Sequence, residues 1–116
     1  MVETVDIPSI IDIESPLQFE IEARLPSSCF VLKPTTLRYD HDRHVIFFHA
    51  SALKSEVTCD EQPTIARQQI VSTARLQQGT YEIRELKSLK KWGLVQVERF
   101  SASAESALKS ITPFDK

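Results

Sequence analysis

Between Gln18 and Leu25 the chain alternates. Phe19, Ile21, Ala23 and Leu25 are apolar, and Glu20, Glu22 and Arg24 stand between them. A period of two sends one set toward a core and the other toward water, which predicts a strand. Pro16 and Pro26 bracket the run, as expected where a ladder loses its amide donors. Residues 29–32 are continuously apolar and predict a strand covered on both faces. Leu37 and Tyr39 then alternate with Thr36 and Arg38, and Asp40, His41, Asp42 and Arg43 read as a polar turn. Residues 45–48, Val-Ile-Phe-Phe, are the strongest β-forming stretch and predict a central strand ending at His49 and Ala50. Upstream, residues 7–13 predict a short edge strand with Pro8 at its start.

The second half is less regular. The pattern fades over 53–64 into a loop or a weak edge strand. Residues 63–78 are rich in Ala, Arg and Gln, with Pro63 and Gly79 where a helix would begin and end. Yet a helical wheel scatters Ile65, Ala66, Ile70, Val71, Ala74 and Leu76 around its circumference, so a strand is the preferred reading. Tyr81 and Ile83 alternate with Glu82 and Arg84. Leu86, Leu89 and Trp92 recur every third position, which predicts one helical turn capped by Gly93. A last strand is expected over 94–100, with Val95 and Val97 inward. From Ser101 the composition turns to Ser, Ala and Lys. There Ser103 caps a short helix carrying Ala104, Ala107, Leu108 and Ile111, or the tail frays. The expected organisation is one domain over 1–100 and a tail over 101–116.

Composition narrows the chemistry. At 116 residues the chain has room for one core, and its formal charge of -2 supplies no field for capturing nucleic acid. No apolar run is long enough for a membrane-spanning helix, and the first residues lack the basic and apolar regions of a signal peptide. Two glycines, Gly79 and Gly93, cannot build a Rossmann or Walker phosphate loop. Cys29 and Cys59 are too few for a thiolate zinc site; they are either one disulfide or two buried thiols. A disulfide belongs to an extracytoplasmic compartment, reached by a chain whose signal peptide has been removed; free thiols belong to the cytoplasm.

The most specific local feature is Leu76-Gln77-Gln78-Gly79-Thr80-Tyr81. Where a chain crosses between two packed sheets, Leu76 would close the core, Gly79 would accept a positive φ, and Tyr81 would tuck its ring inward with its hydroxyl on a backbone group. This Leu-x-x-Gly-x-Tyr stretch resembles the tyrosine corner of immunoglobulin-like and fibronectin type III-like β-sandwiches. The resemblance extends over 18–98. The roughly six to eight short strands read along the chain, with turns between them, suggest two packed sheets, and the resemblance implies an all-β, antiparallel sandwich. Cys29 in an early strand and Cys59 in a mid-chain loop are similar to the arrangement in small extracytoplasmic sandwich domains. Ile83 stands where an antibody domain has its second Cys, and Trp92 falls too late to be the core Trp. The competing fold is α+β, with a helix over 63–78. The class transfers no active residue.

Candidate sites are few. His41 and His44, with Asp40 and Asp42, could converge across a turn as nitrogen and oxygen ligands for zinc, copper or nickel; the bland reading is a solvated turn. His49 would face the opposite side from His44, about 16 Å away along an extended strand. Lys90 and Lys91 beside Trp92 form a basic-aromatic patch suited to phosphates and bases, but Glu82, Glu85 and Glu98 dilute it. No acids pair for catalysis: Glu14, Glu20, Glu22 and Asp60 are scattered, and no motif joins either Cys to a His. The expectation is therefore a non-catalytic binding or structural module without a cofactor, acting through a protein partner or self-association. A small-ligand or metal-binding domain using the His41/His44 turn, and a small enzyme of unknown class, are the alternatives.

Overall fold

The computed structural model describes residues 1–55 and 59–99. Among them there is no helix, and ten strands follow one another. In order they are β1 (Val2–Asp6), β2 (Ile10–Asp12), β3 (Gln18–Leu25), β4 (Phe30–Leu32) and β5 (Thr36–Asp40). After these come β6 (Val45–His49), β7 (Ala52–Lys54), β8 (Thr64–Val71), β9 (Gly79–Glu85) and β10 (Lys91–Glu98). The α+β alternative is thereby excluded, since β8 fills the first half of 63–78 and no helix forms in the rest. The tail expected over 101–116 lies outside the described residues, as does its short helix.

Three sheets form, in the orders β1-β3-β8, β2-β10-β9-β6-β5 and β4-β7. Most pairings are antiparallel, but β2 runs parallel to β10 and β6 parallel to β9. The first two sheets face each other across one core. Phe19, Ile21 and Ile70 come from the three-stranded sheet; Ile46, Phe48, Tyr81, Ile83, Val95 and Val97 come from the five-stranded one. Phe19 meets Phe48 edge to face, with ring centroids 6.0 Å apart. The alternation in β3 therefore places its apolar set as expected, and β6 lies inside its sheet between β9 and β5.

Four local expectations are corrected. Residues 7–13 hold an edge strand as expected, but only the three residues of β2, paired with β10; β1 lies before Pro8 and pairs with β3, so the N-terminal segment serves both sheets along one side. Residues 29–32 are not covered on both faces, because β4 pairs only with β7 in a small sheet and leaves Val31 57% exposed opposite Leu53. Leu89, at φ 62°, takes the left-handed position expected of Gly93, and its N–H donates to Glu85 O. Gly93 instead lies inside β10, where the register with β9 shifts and Ile7 packs close. Finally, β10 begins at Lys91 and ends at Glu98, earlier than 94–100.

Candidate functional site

The segment Leu76 to Tyr81 forms a tyrosine corner. Tyr81 is fully buried, and its Oη accepts a hydrogen bond from the Gln77 N–H at 2.9 Å. Leu76 is buried in the core cluster and Gly79 adopts φ 135°, where an L side chain is strained. A Cβ at Gly79 would also stand 2.8 Å from the His44 imidazole.

The turn after β5 packs its histidines around this tyrosine. His44, itself at φ 58°, stacks on the Tyr81 ring at 4.4 Å, and its Nε2 lies 3.2 Å from Gln77 Oε1. His41 stacks on Tyr39 and places Nδ1 3.2 Å from Tyr81 Oη. Asp40 accepts from the Arg43 N–H, while Asp42 is exposed. Of the four residues expected as ligands, His41 and His44 thus make aromatic contacts and Asp40 a turn contact. Among the described residues no group of three or more His, Cys, Asp or Glu is gathered as an ion would need.

Cys29 and Cys59 form a disulfide, with Cα atoms 5.2 Å apart. It ties the start of β4 to the loop before β8, alongside Ser28 and Asp60, which bond to each other. Trp92 is half-buried and packs against the core, with Lys90 Nζ 3.8 Å from its ring centroid. Lys91 is exposed, and the nearby Arg84 is engaged by Glu82 and Leu89 O. The basic-aromatic patch is consequently a small rim, partly neutralised by its own acids.

A further site was not singled out in the sequence. The N-terminal segment covers one side of the sandwich, but on the other side β5 and β8 are both terminal strands of their sheets. Between them runs an open groove of about 460 Å³, walled by Leu32, Pro34, Leu37, Tyr39, Ile70 and Val71. Two polar links cross it. Gln68 donates from Nε2 to Lys33 O and accepts from the Thr35 N–H at 2.9 Å and from the Thr35 hydroxyl. Tyr39 Oη lies 2.8 Å from the buried Ser72 Oγ.

Away from β3, β8 pairs with no strand among the described residues, although β4 passes close to it and Thr64 Oγ1 donates to Ser27 O. Ser72 N–H donates to Leu17 O, and the register with β3 is unbroken from Val71 to Thr64. Bonded pairs recur every second residue, so Ile70, Gln68, Ala66 and Thr64 turn their backbone groups to β3. Ile65, Arg67, Gln69 and Val71 turn theirs outward, and among the described residues no backbone bond meets them there. On the outer face Arg67 Nε donates to Glu22 at 2.9 Å, and this bond, with the charges of Glu22 and Glu20, raises the Arg67 pKa. That β8 is an edge depends on which strand ends each sheet, which no local pattern encodes.

Comparison of the chain with protein-family models, curated proteins and solved structures returned no match.

Proposed function

We propose that this chain is a non-catalytic binding or structural module that works through protein–protein contacts on the β5/β8 side of its sandwich. One observation carries the reading: an apolar groove lies between two terminal strands, and in one of them four alternate residues turn outward backbone donors and acceptors that no backbone bond meets among the described residues. An added strand gains main-chain bonds from such an edge and specificity from the groove beside it.

The finer fold reading is an immunoglobulin-like or fibronectin type III-like sandwich. Supporting it are the Tyr81 hydroxyl on the Gln77 amide and the N-terminal segment shared between sheets. The parallel β6–β9 pair departs from that class, whose sheets are antiparallel. The Cys29–Cys59 bridge favours an oxidising, extracytoplasmic setting.

The test is selection of binders from a displayed random-peptide library, followed by amide exchange on the protein. Extended peptides that protect Ile65, Arg67, Gln69 and Val71 are the expected result. If selected peptides bind elsewhere, or none binds and the chain does not self-associate through this side, the reading fails.

A further inference from the structure

The free edge of β8 is unusual in what it lacks. Natural sheets guard their edges with Lys, acidic residues, Pro, bulges or brevity. The other terminal strands follow that rule: β1 carries Glu3, Asp6 and a register shift, β2 has three residues, and β5 has five with Arg38 and Asp40. By contrast β8 is eight residues long, Thr-Ile-Ala-Arg-Gln-Gln-Ile-Val, with an unbroken register and no Pro, Lys or acid. Its one charge, Arg67, is already engaged by Glu22.

The outer-face residues of that edge are complementary to themselves. Ile65 and Val71 stand near its two ends and are 49% and 46% exposed. An antiparallel pairing of β8 with a second β8 must set outward-bonding residues opposite one another, here the odd-numbered ones. With the two-fold axis at Gln68, Ile65 meets Val71 of the other copy and Arg67 meets Gln69. Ile65 of each copy is then covered by Val71 of the other. Centring on Arg67 would face two like charges, and centring on Gln69 would push Ile65 past the end of the strand, opposite Thr73.

We propose that the occupant of this edge is a second copy of the same chain, joined through antiparallel β8–β8 pairing about Gln68 into one six-stranded sheet. The contact is isologous, so each copy gives and receives the same bonds. It also brings the two apolar grooves together across the axis. This assignment rests on the strand-addition reading above and narrows it to one partner.

Sedimentation equilibrium from micromolar to millimolar concentration tests it, on the intact oxidised chain with three variants. Gln69→Glu places a carboxylate opposite Arg67 twice per dimer and tightens association about two- to thirtyfold, from two cross-strand pairs. Gln69→Arg weakens association by a similar factor. Gln69→Pro removes an outward amide without touching the bonds to β3 and abolishes pairing; circular dichroism checks that each variant is folded. A dimer indifferent to the two charge variants overturns the assignment, as does a wild-type chain that stays monomeric at millimolar concentration. Either result leaves the broader reading standing where library peptides still protect the β8 amides, and removes both where they do not.

Discussion

Tyr39 Oη and Ser72 Oγ lie 2.8 Å apart and join the edge of the five-stranded sheet to the chain leaving β8. Ser72 also donates to Ala74 O, and its N–H bonds Leu17 O, so the serine is held on three sides while buried. The link sets the width of the open side at one end, as Gln68 does through Lys33 and Thr35 further along. Removing it by Tyr39→Phe lowers stability by about 0.5–1.5 kcal/mol, the net worth of one hydrogen bond. Urea denaturation reads this, and a double-mutant cycle with Ser72→Ala shows coupling between the two.

The tyrosine corner is more sensitive. Tyr81→Phe strips the Gln77 N–H and His41 Nδ1 of their shared partner within the packed crossing. An unsatisfied group of this kind costs about 1–3 kcal/mol. A loss of denaturation midpoint with unchanged slope is expected; an unchanged midpoint would show that the corner is ornamental.

Gly79→Ala meets two obstacles, the φ of 135° and the His44 ring. A residue held in such a backbone conformation costs about 1–3 kcal/mol. Pairing it with His44→Ala separates them: the double variant recovers the steric part and keeps the backbone part, so the cycle is non-additive.

Breaking the Cys29–Cys59 bridge by paired substitution to serine frees a loop with a sequence separation of 30. The chain-entropy model puts the loss at about 3 to 4 kcal/mol. Thermal unfolding with and without reductant checks it, since wild-type protein in reductant should approach the variant.

Neighbouring phenylalanines in β6 should behave differently. Phe48 is fully buried against Phe19, and its truncation to Ala costs about 3–5 kcal/mol. Phe47 lies on the outer face, half-buried beside Arg84 and Leu89, and its truncation costs distinctly less under the same denaturation assay.

These contrasts also mark what was legible in the sequence. Period-two patterning located β3 and β9, each with one face on a core, and the β-branched and aromatic run of 45–48 located β6. The corner was readable because Leu76, Gly79 and Tyr81 each answer a local demand of the crossing. Residues 29–32 misled because a small third sheet lets apolar Val31 stand in solvent. The positive φ at Leu89 was hidden because the Glu85–Leu89 and Glu85–Lys90 backbone bonds impose it. The parallel pairs and the open side were beyond reach, since both depend on how distant strands are ordered. His41 and His44 share one turn, but Tyr81, thirty-seven or more positions onward, decides what they touch.

Pro8, by splitting the N-terminal segment between the two sheets, has a geometric consequence for growth. One flank ends in β1 and β2, edges guarded by charge, a register shift and brevity, so a docking copy finds a single smooth seam. A seam that mates with its twin is consumed in the act. Any assembly built that way stops at a pair instead of lengthening into a fibre.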